Sequence, residues 1–282
     1  LTLPIASAEG LQTPFLNALF TATSAVCVTG LVVLDTGTYW STFGHIVIIS
    51  LIQIGGLGFM TVGTMFALLM GRKIGLRERL LLQEALNKVD VQGVVRLTKS
   101  VLLTTLIIEG TGATILALRW IPEFGWQKGL WFGIFHAISN FNNAGFDLFG
   151  SIFGPFTSLT HYVEDPVVSL TISTLIVLGG IGFSVIANVV KEKRFSRFVL
   201  HTKIVLLTTF ILLVFGTVAI FCLEFTNAKT LQPLSYQGKI LASCFQAVTP
   251  RTAGCNTLNI GDMTVASQFL IVILMFIGAS PG

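Results

Sequence analysis

Hydrophobic residues along this chain fall into blocks too long for strands and too continuous for the stripe of a surface helix. A bilayer core of about 30 Å requires roughly 20 apolar residues in a helix. Four blocks approach or pass that length. They cover 43–71, interrupted only by His45, Gln53 and small polar residues; 100–120, whose one acid is Glu109; 166–190, with no charge; and 204–223. A fifth, 263–282, starts apolar and ends in glycine and proline. Three shorter stretches, 12–24, 128–141 and 236–249, fall below spanning length. A helix of about 13 residues reaches only about 20 Å, which suits a segment that dips into the membrane and returns.

Composition agrees with this pattern. Charged residues make up 11% of the chain, against about 25% in soluble domains, while hydrophobic residues make up 53% and mean hydropathy is +0.83. Too few charges remain to cover a soluble surface, so the chain is an integral membrane protein. The net charge of +4 matters through its placement. Arg72, Lys73, Arg77, Arg79, Lys88, Arg96 and Lys99 fall in one loop, and Lys191, Lys193, Arg194, Arg197 and Lys203 in another. Those are twelve of the 17 basic residues. Loops 72–99 and 191–203 are therefore expected on the cytoplasmic side of the plasma membrane. The acids Asp35, Glu123, Asp147, Glu164, Asp165 and Asp262 populate the other loops, which are expected to face outward. Residues 1–10 lack the basic and apolar regions of a signal peptide, and both chain ends read as fragment ends. Cys27, Cys222, Cys244 and Cys255 have no paired spacing and read as small buried residues. His45, His136, His161 and His201 likewise show no metal-binding spacing and read as ordinary polar positions.

The chain repeats itself. Phe20, Ala22 and Gly30 recur at identical offsets as Phe135, Ala137 and Gly145, and again, one residue shorter, as Phe245, Ala247 and Gly254. After each comes a second motif. Gly55-Gly56-Leu57-Gly58-Phe59 matches Gly179-Gly180-Ile181-Gly182-Phe183, and the third copy has drifted to 278–282. Two linked motifs in register argue for internal duplication. Each unit reads as a helix in, a short pore helix, a glycine-centred loop and a helix back. Units that cross twice share one orientation, unlike the inverted repeats of secondary transporters. The expected division is repeat 1 with its basic loop over 1–99, its opening helix mostly missing, repeat 2 over 100–202, and repeat 3 over 203–282.

A short helix followed by an extended glycine loop aims carbonyl oxygens at an axis, and rings of carbonyls can replace the hydration shell of a potassium ion. Glycine reaches φ > 0 and keeps side chains off the path. With Val26-Cys-Val-Thr-Gly-Leu31, Asn142-Asn-Ala-Gly-Phe146 and Arg251-Thr-Ala-Gly-Cys-Asn256, the chain resembles the Trk/Ktr/HKT family of potassium-translocating subunits, and most resembles its Ktr-type membrane subunits. The resemblance implies an all-α, potassium-channel-like membrane fold of four parallel helix–pore-helix–filter-loop–helix repeats, of which three are present. It implies a potassium filter at Val28, Thr29, Gly30, Asn143, Ala144, Gly145, Thr252, Ala253 and Gly254. It also implies a gate at Gly278, Ala279, Ser280, Pro281 and Gly282. Serine at the position of Gly30 is associated in the family with sodium permeation, so glycine implies potassium preference. The resemblance implies potassium as the transported ion, with sodium entering through stimulation or coupling. The family's membrane subunits form homodimers on a cytosolic nucleotide-binding ring of RCK type. No nucleotide-binding motif is present on this chain, and no nucleic-acid partner is implied.

The double-glycine motifs read as packing positions behind the filter. Asn142 and Asn143 read as a cap or turn whose carbonyls face the ion. Arg251 is expected off-axis, paired with an acid. Glu109 reads as either a functional group or half of a structural ion pair, with Arg251 as one candidate partner. Segment 77–99 is basic and amphipathic, suited to the membrane surface and to docking a regulatory ring. No GxGD, HExxH, GxSxG or P-loop pattern supports an intramembrane enzyme.

Overall fold

The computed structural model describes residues 1–58 and 94–279, with side chains from position 99 onward in the second stretch. Most of the first basic loop, and positions 280–282, lie outside the described residues. Among the described residues, helices of ten residues or more are α1 (Phe15–Val26), α2 (Thr42–Leu57), α3 (Val94–Phe124), α4 (Trp126–Phe141), α5 (Pro166–Gly180), α6 (Phe183–Glu192), α7 (Leu200–Glu224), α8 (Tyr236–Val248) and α9 (Val265–Ile277). Among the described residues there is no strand, only an isolated antiparallel bridge between Ser7 and Trp40.

The three short helices expected from the sequence are α1, α4 and α8. The long blocks 100–120 and 204–223 are the hearts of α3 and α7. A helix of 25 residues such as α7 is about 37 Å long, enough to cross a bilayer core. Its outer face, with Leu207, Phe210, Ile211, Val214 and Phe215 exposed, is suited to lipid tails.

Helix starts follow local chemistry. Asp165 Oδ1 accepts from Val167 N (2.9 Å) and Val168 N (3.1 Å) before a proline at the first position of α5. Ser41, Ser235 and Thr264 cap α2, α8 and α9 by accepting from Gly44 N, Gly238 N and Ser267 N.

Block 166–190 departs from expectation: it is not one straight span. Gly182 takes φ 86°, the ladder ends, and α6 leaves α5 at 97°. In the first unit α2 stops in the same way at Gly58, with φ 76°. The second glycine motif therefore both packs and breaks its helix.

Packing repeats as well. α4 lies along α3, and α8 along α7. α4 also packs on α2 from the preceding unit, and α8 on α5, so neighbouring units interlock through their short helices. Behind the glycine loops the core is aromatic. Trp40, Trp120, Phe135, Phe141, Phe146, Phe149 and Phe245 are fully buried there. Trp120 meets His136 and Phe149 edge-on, both at 5.2 Å between centroids. These large, rigid side chains fix where the three short helices end.

Candidate functional site

Each short helix runs directly into its glycine loop, and the loops share one backbone pattern. Val28 (φ 56°) precedes Gly30 (72°) by two residues, Asn143 (57°) precedes Gly145 (67°), and Thr252 (71°) precedes Gly254 (88°). In an extended strand successive carbonyls point to opposite sides. Alternating left-handed and ordinary residues brings them to the same side, as a carbonyl-lined filter requires. Positive φ at β-branched Val28 and Thr252 is strained by about 1–3 kcal/mol each, so the surroundings must hold it.

They do so with a repeated set of bonds. Thr29 N donates to Ser24 O (3.0 Å), Ala144 N to Ser139 O (2.7 Å) and Ala253 N to Thr249 O (3.0 Å). The same serine or threonine reaches the far end of two loops: Ser139 Oγ donates to Phe146 O (2.7 Å), and Thr249 Oγ1 to Cys255 O. In the first loop Ser24 Oγ instead pairs with Thr29 Oγ1 at 2.9 Å. Ser24, Ser139 and Thr249 all stand four residues after the repeated phenylalanine, a register from which this role was legible.

Neighbouring loops touch closely. A Cβ on Gly30 would lie 2.4 Å from Ala144 O, and one on Gly145 only 2.0 Å from Ala253 O. One on Gly254 would meet nothing nearer than Gly145 Cα at 3.9 Å and Thr29 O at 4.0 Å. Asn143 Nδ2 donates to Arg251 O (3.1 Å) and Thr252 Oγ1 (3.2 Å), while Cys255 Sγ donates to Asn140 Oδ1 (2.9 Å). These bonds join the second loop to the third.

A cavity of about 690 Å³ lies between the first and third loops. Of the nine expected filter residues, Val28, Thr29, Gly30, Asn143, Thr252 and Gly254 line it. Ala144, Gly145 and Ala253 do not, and both alanines are fully buried. The residues ending the short helices, Cys27, Asn142 and Thr249, line the cavity too. Three helix C-termini therefore meet there, each worth roughly half a negative charge, which favours a cation and opposes an anion. Among the described residues no cluster of three or more His, Cys, Asp or Glu is present, and the polar residues lining the cavity are threonines and asparagines.

Gly278 ends α9 with φ 66°, and a Cβ there would stand 3.8 Å from Thr252 Cγ2, beside the third loop. Ala279 Cβ lies 3.3 Å from where Gly180 would carry one. The rest of the expected gate, Ser280, Pro281 and Gly282, lies outside the described residues. Gly278 and Ala279 share a smaller cavity of about 180 Å³ with Thr208, Thr209 and Arg251.

Gly55 and Gly179 pack behind the filter, where a Cβ would meet Val26 O at 1.9 Å and Phe141 O at 1.8 Å. Other expectations need correction. Arg251 is buried, but its Nε and Nη1 have no partner, and no acid pairs with it among the described residues. Glu109 bonds to Gln53 and Asn142 rather than to Arg251. Of the cysteines only Cys255 is buried; Cys27 and Cys222 are exposed, because both lie on faces open to the cavity or the surroundings. His136 is not an ordinary polar position. It is fully buried, its Nδ1 on Phe132 O (2.8 Å) and its Nε2 accepting from Leu148 N (3.3 Å). In the loop after Gly145, burial pushes the Asp147 carboxyl up to about 7; the Phe149 N–H it accepts opposes this and the charge of Asp35 adds to it.

A family model described as "TrkH: Cation transport protein" matches residues 1–282. The chain belongs to this family. It is 48% identical over 279 residues to a Ktr system potassium uptake protein B of Bacillus subtilis, covering 99% of this chain and 61% of that protein. It is 41% identical over 282 residues to the potassium/sodium uptake protein NtpJ of Enterococcus hirae, covering 100% and 61%. The crystal structure of the potassium transporter TrkH from Vibrio parahaemolyticus aligns with a TM-score of 0.64 at 17% identity, over 95% of this chain and 51% of that one. At that identity the likeness establishes a shared all-helical fold. The chain spans about three-fifths of the length of these curated relatives.

Proposed function

We propose that this chain contributes three parallel repeats, 1–99, 100–202 and 203–282, to a gated, channel-like pathway for potassium uptake across the plasma membrane. The observation that carries the reading is the convergence of three short-helix C-termini on three loops of alternating backbone hand, around one cavity. The selective surface is assigned to the backbone of Val28–Gly30, Asn143–Gly145 and Thr252–Gly254. The gate is assigned to 278–282, beside the third loop. The printed functions of the relatives, potassium uptake in one and potassium/sodium uptake in another, support potassium as cargo and a role for sodium.

A fourth glycine loop completes this scheme. Gly30 and Gly145 each abut a carbonyl of the next loop, whereas Gly254 has no such neighbour among the described residues. A fourth segment seated between the third and first loops would supply one and close the cavity. We further assign loops 72–99 and 191–203 to the cytoplasmic side, where a homodimer would rest on a nucleotide-binding RCK-type ring.

The experiment is uptake by the full-length protein in bacteria stripped of their own potassium systems. Growth at limiting potassium is expected for the parent. Gly30→Ser should shift the preference toward sodium, since the new Cβ meets Ala144 O at 2.4 Å on a backbone at φ 72°. Unchanged selectivity in that variant, at parental abundance, would remove Gly30 from the path.

A further inference from the structure

We propose that Glu109 is a positioning residue for ion selection, holding the second filter loop in place through the carboxamide of Asn142. The inference rests on the potassium-pathway reading above and extends it to a residue that does not touch the ion.

Glu109 sits in the spanning helix α3 and is 7% exposed. An ionisable group at that depth is costly and needs a reason. Its Oε1 accepts from Asn142 Nδ2 at 3.0 Å, and its Oε2 from Gln53 Nε2 at 3.4 Å. Asn142 Nδ2 also lies 3.1 Å from Gln53 Oε1 and 2.9 Å from Ile138 O. One amide nitrogen with two hydrogens thus faces three acceptors, of which the carboxylate is the strongest. On the other side, Asn142 Oδ1 lies 2.0 Å from where Gly56 would carry a Cβ. Only glycine at 56 leaves room for it. The carboxamide is therefore held by α2, α3 and its own helix α4.

What it holds is the hinge of the filter. Asn142 ends α4, and the next residue, Asn143, begins the alternating backbone at φ 57°. Asn143 in turn bonds to Arg251 O and Thr252 Oγ1. Glu109 thus connects, through Asn142 and Asn143, to the third loop, and through Gln53 to the first unit. Glu109 is not among the residues lining the 690 Å³ cavity, whereas Asn142 is, so its influence on the ion passes through Asn142. The positions equivalent to Asn142, three residues before the glycine, are Cys27 and Arg251, and neither has an acid partner among the described residues.

The test compares radioactive rubidium and sodium uptake by the full-length protein in potassium-uptake-deficient bacteria, with membrane abundance measured in parallel. Glu109→Ala should lower the potassium-to-sodium ratio by at least about tenfold, because a loop shifted by about 1 Å loses its geometry. Glu109→Gln, which keeps an acceptor oxygen, should hold the ratio within about threefold of the parent. Asn142→Asp alone places two carboxylates in contact and should also lower it. Combining Asn142→Asp with Glu109→Gln restores a donor–acceptor pair and should recover the ratio, a coupling that a merely space-filling role would not produce. A parental ratio in Glu109→Ala, or a double variant no better than Asn142→Asp, overturns the proposal. Should Glu109→Ala fail to reach the membrane, the double variant decides alone. A parent that imports no potassium overturns the pathway reading itself, and this proposal with it; unchanged ratios in an importing protein overturn this proposal only.

Discussion

Replacing Gly145 with alanine is the sharpest perturbation available, because two independent costs fall on one methyl group. The backbone there stands at φ 67°, where an L-residue with a Cβ loses about 1–2 kcal/mol. The Cβ would also lie 2.0 Å from Ala253 O and 3.0 Å from Ala253 C and Cys255 N. Those atoms are backbone of the adjoining loop and cannot swing away as a side-chain tip would. Relief requires the second and third loops to part by roughly 1 Å, and such overpacking costs about 1–3 kcal/mol. Together the terms reach about 2–5 kcal/mol, or roughly 30-fold to a few thousand-fold in the population of the intact filter. The assay is rubidium uptake by the full-length protein in cells without their own potassium systems, corrected for membrane abundance. Gly110→Ala is the control: nothing lies within 4 Å of its Cβ position, and the helix gains up to about 1 kcal/mol of propensity. Gly145→Ala is expected to lose uptake by at least about thirtyfold while Gly110→Ala keeps it. Parental uptake and selectivity in Gly145→Ala, at parental abundance, would refute the close packing of the loops.

Two further outcomes concern the loops around the filter. Asp35 is buried and accepts from Thr38 N, Thr38 Oγ1 and, across 121 residues, Phe156 N, each at 2.8 Å. Asp35→Ala should therefore lower stability by about 3 kcal/mol, with Asp35→Asn recovering part of it; equal thermal midpoints for all three proteins would contradict this. Asp147 has its carboxyl raised to about 7 in the fold, so its contribution is fully present below the ordinary carboxylate range and fades as pH rises through about 7. Purified protein should melt lower near pH 8 than near pH 5, and Asp147→Asn should flatten that difference; an unchanged slope would show that other groups set it.

The architecture was legible because bilayer physics writes itself into composition. The blocks that became α3 and α7, and the three sub-spanning stretches that became α1, α4 and α8, follow from length and apolarity alone. The break between α5 and α6 was harder to see. Block 166–190 is uniformly apolar, and a glycine inside it can either pack or bend; only the positive φ of Gly182 distinguishes the two. His136 was missed for a related reason. A lone histidine carries no spacing signal, and its role depends on Leu148 N, which the fold brings to it from the far side of the loop.

Sequence by itself determined the membrane setting, the threefold repetition and the three glycines, since each of these is a pattern along the chain. Tertiary structure decided which partners those residues meet. Opposite charge made Arg251 one candidate partner for Glu109, yet the two stand in different corners, one beside Gly278 and the other on Asn142. The alternation of backbone hand at Val28, Asn143 and Thr252 was likewise hidden, because no side chain encodes it. It is imposed from outside, by hydrogen bonds from the short-helix ends and by aromatic packing behind the loops. A strained backbone persists only where its surroundings over-determine it, and those surroundings exist only once the chain has folded.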